Sequence, residues 1–227
     1  MFVSGRLRVV SAGLVDLPKL ALAAVVGGNA NDSAKEALFR RLLAGRDALE
    51  VSRRAEKFGL WHFGRRVRPD VRDRLEWHKA QGHSVAIVSA SPELYVRAIA
   101  DELGADTFIS TRLAVSEGAL TGRYDGKNCR GPEKERRLRE WVTDTARTPS
   151  GTPDGQGGAL GSDAVPTPFV WAYGNSAGDL QMLRSADIGV NVGRLGPFGK
   201  LRGFRSLADV SADDQPGSDA APTTLPS

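Results

Sequence analysis

The chain has 227 residues, of which 41% are hydrophobic and 26% charged, a composition typical of one globular domain or of a core with a small subdomain. Its single cysteine, Cys129, excludes an internal disulfide framework and favours a reducing cytoplasm. The net charge of +4 comes from 31 basic and 27 acidic residues that are well mixed. We therefore expect a solvated basic surface and no nucleic-acid partner.

The amino-terminal region is the most apolar part of the chain, but it is too short to span a membrane. No run of 18 apolar residues exists, and residues 14–26 are interrupted by Asp16, Pro18 and Lys19. Two arginines precede this stretch, so a signal peptide is conceivable, yet the interruptions favour a partly buried amphipathic helix. Contact with a membrane surface is the weaker alternative. We expect no stable membrane insertion and a cytoplasmic location.

Residues 1–66 show helical spacing and no strand pattern. One helix is predicted to end at Gly45, and another to run from Arg46 to Phe58. Arg65 and Arg66 stand at the end of this segment beside several aromatic residues. The simpler interpretation is a helical subdomain with a charged exit. The alternative is a cap over an active site, with Arg65 or Arg66 reaching the substrate.

Helices and strands alternate from residue 67 onward, which predicts a doubly wound α/β core. The predicted elements are a helix from Pro69 to Gly82, a strand Ser84–Ser89, a helix from Pro92, a strand Thr107–Ser110, a hairpin Leu113–Tyr124, a helix Lys134–Val142, a strand ending at Gly174 and a strand Ile188–Val192. Residues 143–168 and 211–227 are rich in small and polar residues, so we expect a flexible insertion and a disordered tail.

Two segments before predicted helices carry groups that suit an anion. Ser89 ends an apolar strand, and Ala90 and Ser91 offer backbone N–H groups just before a helix, where anions bind. Helix capping by serine explains this pattern equally well. Lys134 occupies the first turn of a helix, where the dipole disfavours a cation, which suggests an anionic partner. The simpler interpretation is an exposed lysine, whose removal changes the free energy of unfolding by under about 1 kcal/mol.

A third segment follows the apolar strand that ends at Gly174. A small polar turn there contains Asn175 and delivers Asp179 to the start of a helix. In open α/β sheets, ligands bind at the carboxyl ends of the strands, so this turn is a candidate site. The alternatives are that Asp179 caps the helix and that Asn175 is a turn residue.

The three segments together resemble the second, third and fourth motifs of the haloacid dehalogenase (HAD) superfamily. In chain order they read VAIVSAS, GKNCRGPEKERRLREW and AYGNSAGDLQML. The chain from Met1 to about Val210 is similar to the phosphoserine-phosphatase-like branch, subfamily IB. This resemblance implies a Rossmann-like, doubly wound parallel sheet at residues 67–210 with a helical cap at residues 1–66.

The resemblance also implies an activity, namely Mg²⁺-dependent hydrolysis of a small phosphorylated substrate through an aspartyl-phosphate. The loop Ser89–Ser91 would hold the phosphoryl oxygens, and Lys134 would neutralise the charge of the phosphate and of the nucleophile. Asn175 and Asp179 would complete the Mg²⁺ site. Phosphoserine is one candidate substrate among small phosphomonoesters.

The sequence departs from the family pattern at two motifs. The first motif of the family, Asp-x-Asp-x-Thr, supplies the attacking carboxylate and the general acid and base, and the sequence contains none. The chain is therefore expected to be truncated at its amino terminus and inactive as given. The fourth motif commonly begins Gly-Asp, and here it begins Gly174-Asn175, which removes one negative charge from the metal site. The alternative function is a non-catalytic HAD-like protein that binds a phosphorylated ligand or a partner.

Overall fold

The computed structural model describes the backbone of residues 29–147, 168–193, 201 and 203–210. It describes the side chains of the same residues, apart from those of residues 29–31, 62–66 and 147. The predicted amino-terminal amphipathic helix, the disordered tail and most of the flexible insertion lie outside these ranges. The chain divides into two compact units, residues 1–129 and residues 130–227. The division into a cap at residues 1–66 and a core at residues 67–210 stays a prediction.

The first unit combines helices with one parallel and one antiparallel sheet. Its elements are α1 Asn29–Leu43, β1 Arg46–Asp47, α2 Ala48–Arg66, α3 Pro69–Ala80, β2 Ala86–Pro92, α4 Glu93–Leu103, β3 Thr107–Thr111, β4 Leu113–Ser116 and β5 Ala119–Tyr124. Strands β2 and β3 pair in parallel, joined through α4, and β1, β5 and β4 form an antiparallel sheet in that order. Positive φ angles at Glu117 (49°) and Gly118 (78°) make the tight turn between β4 and β5, where the sequence predicts a hairpin.

The core of the first unit lies between α1, α2 and the antiparallel sheet. One cluster of buried side chains there consists of Leu43, Val51, Leu113 and Leu120. Helix α1 approaches β5 so closely that a Cβ added at Gly122 would lie 2.4 Å from a Cα of the helix. The apolar residues of the hairpin are therefore covered by helices that come far earlier in the chain.

A histidine pair at the end of α3 makes the stability of the first unit sensitive to pH. His78 is only 8% exposed, and its Nδ1 lies 2.9 Å from Nδ1 of His83. Burial, followed by the positive charges of His83 and Arg74, lowers the pKa of His78 to about 4. The folded protein thus holds His78 neutral, while the unfolded chain takes up a proton below pH 6.5.

We expect acidification from pH 7 to pH 4 to cost up to about 3 kcal/mol of stability through His78 alone. The stability that neutral His78 contributes is complete above pH 6.5, the pKa of the unfolded chain. It decreases as the pH falls towards the folded pKa of about 4. Chemical unfolding of the wild type and of His78→Leu at several pH values measures how the free energy of unfolding depends on pH. The variant should show a flatter profile between pH 6.5 and pH 4, and parallel profiles would contradict the expectation.

The second unit contains a three-stranded parallel sheet in the order β6, β7, β8. Its elements are α5 Pro132–Arg147, β6 Trp171–Gly174, a 3₁₀ turn Ala177–Asp179, α6 Leu180–Ser185, β7 Ile188–Asn191, β8 Arg205–Ser206 and a 3₁₀ turn Leu207–Asp209. Leu183 of α6 and Val190 of β7 are fully buried. The register places Gly174, the last residue of β6, opposite Asn191, the last residue of β7.

The α/β class is as predicted, whereas several details differ. Helix α5 continues to Arg147 instead of ending at Val142, and the Thr143 hydroxyl donates to the Arg139 carbonyl of the preceding turn at 2.9 Å. The described strands form small separate sheets, so the parallel pairings are seen but one continuous doubly wound sheet is not. Within the described residues, none of the helices is both long and apolar enough to cross a membrane.

Candidate functional site

An ion pair lies buried at the carboxyl end of β6. The Nζ atom of Lys134 is 2.5 Å from Oδ1 of Asp179, and the two residues are 6% and 5% exposed. The other carboxylate oxygen, Oδ2, accepts hydrogen bonds from the Asn175 N–H (3.2 Å), the Ser176 N–H (3.0 Å) and the Ser176 hydroxyl (2.8 Å). Both oxygens of Asp179 are therefore engaged by donors.

These donors keep Asp179 ionised. Burial by itself would raise the pKa of Asp179, but the charge and hydrogen bond of Lys134, followed by the Ser176 and Asn175 donors, lower it below the ordinary value. Lysine and carboxylate thus face each other as charges in a site largely closed to water. Because little solvent reaches this pair, the attraction between the two charges is only weakly screened.

The prediction that Lys134 is exposed is wrong. The chain before α5 is joined to the turn after β6, because the Gly131 N–H donates to the Gly178 carbonyl at 2.9 Å. This bond sets the first turn of α5 against the turn that carries Asp179, so Lys134 is buried. The dipole argument had indicated an anionic partner for Lys134, and the anion in the structure is the Asp179 carboxylate.

The turn after β6 is fixed by short-range contacts. A Cβ added at Gly174 would lie 2.6 Å from Cβ of Asp179, so only glycine lets the carboxylate fold back against the strand end. Ser176 is the N-cap of the 3₁₀ turn Ala177–Asp179 and forms a capping box with Asp179. The Asp179 side chain makes no capping bond to α6, so the interpretation of Asp179 as the cap of that helix is wrong. Asn175 lies exposed in this turn, as the turn interpretation requires.

A residue that the sequence analysis missed lies next to this turn. Asn191 ends β7, is buried, and its amide oxygen accepts a hydrogen bond from the Gly193 N–H at 2.8 Å. A Cβ added at Gly193 would lie 2.9 Å from the Asn175 carbonyl oxygen, so the two strand ends are in close contact. The sequence feature that could have indicated Asn191 is its position as a polar residue at the end of the last apolar strand.

The described residues do not by themselves fit a Mg²⁺ site. Mg²⁺ takes six oxygen ligands, usually with one or two carboxylates among them. Asp179 already pairs with Lys134, and Asn175 offers only an amide. Over the part of the chain that the structure describes, no three His, Cys, Asp or Glu side chains converge on a point that could hold a metal. Metal binding by Asn175 and Asp179 stays a prediction.

The candidate phosphate loop lies in the first unit. Ser89, Ala90 and Ser91 belong to β2, which continues to Pro92, and the pairing with β3 shifts register between Val88 and Pro92. The predicted end of the strand at Ser89 is therefore too early. Pro92 is the residue that precedes α4, and no side chain caps this helix, so the capping interpretation of the serines is wrong.

The Ser91 N–H donates to the Ser89 hydroxyl oxygen at 3.1 Å. This contact joins the two serines near the end of β2 and engages the Ser91 N–H within the chain. Arg65 and Arg66 are the last two residues of α2. Their side chains lie outside the described part of the structure, so contact with a substrate stays a prediction.

Comparisons with known proteins show which family the chain is similar to. A family model described as haloacid dehalogenase-like hydrolase matches residues 5–184. Protein CicA of Caulobacter vibrioides is 34% identical over 168 residues, which are 74% of this chain and 66% of CicA. A phosphoserine phosphatase of Streptomyces coelicolor is 30% identical over 150 residues, which are 66% of this chain and 30% of that protein. The chain thus spans slightly under two thirds of CicA and less of the phosphatase.

A solved structure extends the comparison to the fold. A Bordetella pertussis protein of unknown function superposes with a TM-score of 0.64 at 21% identity, over 86% of this chain and 82% of that one. The family match covers the segment Ser89–Ser91, Lys134 and Asp179. The chain therefore belongs to the haloacid dehalogenase-like hydrolases and has phosphoserine-phosphatase-like relatives.

Proposed function

We propose that the chain carries the phosphate-binding residues of a subfamily IB hydrolase of small phosphomonoesters. Such a hydrolase acts through an aspartyl-phosphate, which needs the nucleophile of an Asp-x-Asp-x-Thr segment, and with Mg²⁺, which phosphatases of this family generally use. The observation that carries the proposal is the buried ion pair of Lys134 and Asp179. Burying two charges costs several kcal/mol, and apolar residues would make a more stable core. A buried lysine held in place by a carboxylate is suited to stabilising a phosphoryl group, whose negative charge it can partly neutralise.

The proposal gives each matched residue a role. Lys134 neutralises charge on the phosphoryl group, and Asp179 holds the ammonium group in position. The Ser89 hydroxyl and the Ala90 N–H bind phosphoryl oxygens, while Arg65 or Arg66 in a cap at residues 1–66 contacts the rest of the substrate. A Rossmann-like core at residues 67–210 and a cytoplasmic location belong to the same proposal. The Streptomyces relative suggests phosphoserine as the first substrate to test.

A second candidate function is non-catalytic binding of a phosphorylated ligand. Two features of the sequence favour it, since the chain contains no Asp-x-Asp-x-Thr motif and carries Asn175 where the family commonly has aspartate. Neither feature affects the Lys134–Asp179 pair or the Ser89–Ser91 loop, on which phosphate binding depends. Both functions therefore predict that phosphate binds, but only the first predicts that a phosphomonoester is hydrolysed.

Turnover and binding are measured together on residues 1–227 and on any longer in-frame product that carries Asp-x-Asp-x-Thr. Residues 1–227 should bind orthophosphate but hydrolyse p-nitrophenyl phosphate with Mg²⁺ no faster than a blank. The longer protein should hydrolyse it, and Lys134→Ala should lower its rate on the order of 10²–10³-fold, because a charge contact in the transition state is lost. Ser89→Ala should cost less, since the backbone donors remain.

The matched control is Lys57→Ala, which removes the same charge from an exposed position on α2. Normal turnover by a folded Lys134→Ala protein would contradict the proposal. Binding without turnover in the longer protein would favour the non-catalytic function. Mg²⁺-dependent turnover by residues 1–227 would mean that another residue is the nucleophile.

A further inference from the structure

The peptide group between Ala90 and Ser91 is held from both sides. The Ala90 carbonyl accepts hydrogen bonds from Nζ of Lys35 and from the Thr111 hydroxyl, the latter at 3.0 Å. The N–H of the same peptide donates to the Ser89 hydroxyl oxygen at 3.1 Å. In a planar trans peptide the C=O and N–H point in opposite directions. Fixing the carbonyl therefore fixes the direction of the Ser91 N–H.

Thr111 alone cannot donate to both of the acceptors that face it. Its hydroxyl lies within bonding distance of two acceptors, the Ala90 carbonyl and the Asn128 amide oxygen at 2.8 Å, and it has one proton to give. Lys35 carries three protons and reaches both acceptors, the second at 3.4 Å. Without Lys35, one acceptor in this largely buried cluster would lose its donor, which is costly.

The orientation of Asn128 is set by helix α1 from both ends of the amide. Its nitrogen donates to Oδ1 of Asp32 at 2.6 Å, and its oxygen faces Lys35, one helical turn further along. Nζ of Lys35 also lies 5.7 Å from the centre of the Phe39 ring, which helps to hold the ammonium group in place. Asp32 and Lys35, three residues apart on helix α1, thus contact the nitrogen and the oxygen of the same Asn128 side-chain amide.

We infer that Lys35 is a positioning residue for the Ser89–Ser91 loop, an inference that rests on the proposed role of this loop in phosphate binding. Lys35 holds the Ala90 carbonyl, so that the Ser91 N–H donates to the Ser89 oxygen. By accepting this bond, Ser89 keeps its hydroxyl proton for an oxygen of the phosphoryl group. Lys35 acts through the peptide, without itself being required to touch the substrate.

The test uses residues 1–227 and orthophosphate as the probe, with affinity measured by isothermal titration. Lys35→Met and Ser89→Ala should each weaken binding roughly tenfold. The double variant should bind no more weakly than either single variant, because both changes act on one hydroxyl. Lys35→Arg should restore most of the affinity. The matched control is Lys57→Met, which removes the same charge from an exposed position on α2 and should change nothing.

Amide exchange at Ser91, followed by NMR without ligand, is a second readout that does not depend on phosphate binding. Lys35→Met should speed this exchange roughly tenfold or more, because the peptide is no longer held. If Ser89→Ala weakens phosphate binding and Lys35→Met does not, the inference is overturned and the role of Ser89 stands. If the wild type binds no phosphate, the role of the loop fails. In that case the exchange rate of the Ser91 amide decides the positioning role of Lys35. Faster exchange in Lys35→Met supports the role, and unchanged exchange overturns it.

Discussion

Replacing Lys134 by methionine is expected to lower the free energy of unfolding by about 3–5 kcal/mol at pH 7. The substitution keeps most of the side-chain volume but leaves the Asp179 carboxylate, which is 5% exposed, without its counter-ion. The cost comes from the uncompensated buried charge that remains, because the original pair is of little net benefit. Chemical unfolding followed by circular dichroism measures the difference.

The loss should become smaller in acid. The pKa of Asp179 is lowered in the folded wild type, so the stability that this carboxylate contributes is present above about pH 4 and is lost as the pH falls through the folded pKa. In Lys134→Met the main cause of the lowering is gone, and Asp179 takes up a proton at higher pH. The unfolding free energies of variant and wild type should therefore converge between pH 6 and pH 3.

Two variants separate the charge effect from lost packing. Lys134→Met combined with Asp179→Asn removes both charges but keeps an oxygen for the Ser176 donors, so it should regain a large part of the loss. Lys57→Met should stay within about 0.5 kcal/mol of the wild type, as exposed substitutions do. A loss under about 1 kcal/mol for Lys134→Met, independent of pH, would show that the pair is open to water in solution.

The sequence predicted best those elements whose signals are local. Pro69 starts α3, Gly82 follows the helix end directly, and Glu117-Gly118 form the turn of a hairpin, because each conformation is set by residues within one turn of the chain. The candidate residues of the motifs were likewise found from short patterns. The backbone preference of a few neighbours is enough for predictions of this kind.

Features that depend on distant partners could not be predicted. Lys134 and Asp179 are 45 residues apart, and Asp32 and Asn128 are 96 residues apart, so no local pattern indicates that either pair meets. The burial of Lys134 follows from such a contact, which is why an exposed lysine was expected. The same holds for the two-residue strand β1, which exists only because β5 pairs with it.

Replacing Gly122 by alanine is expected to destabilise the first unit by about 2–5 kcal/mol, for two reasons that add. Gly122 has a φ of 73°, where a side chain costs about 1–2 kcal/mol. The new Cβ would also lie 2.4 Å from Cα and 2.8 Å from the backbone nitrogen of Arg40 in α1. Backbone atoms of a helix cannot turn aside as a flexible side chain can, so α1 must move off β5, at a cost of about 1–3 kcal/mol or more.

The matched control is Gly45→Ala, because Gly45 has almost the same φ, 74°, but nothing lies within 4 Å of a Cβ added there. This variant should lose only the backbone part, about 1–2 kcal/mol. Chemical unfolding gives both losses, and hydrogen exchange shows where they arise: amides of α1 should lose protection in Gly122→Ala and keep it in Gly45→Ala. Equal losses in the two variants would mean that α1 does not lie against β5 as described. A larger loss at Gly122 with unprotected α1 amides identifies the close approach of helix and strand as the constraint that requires glycine.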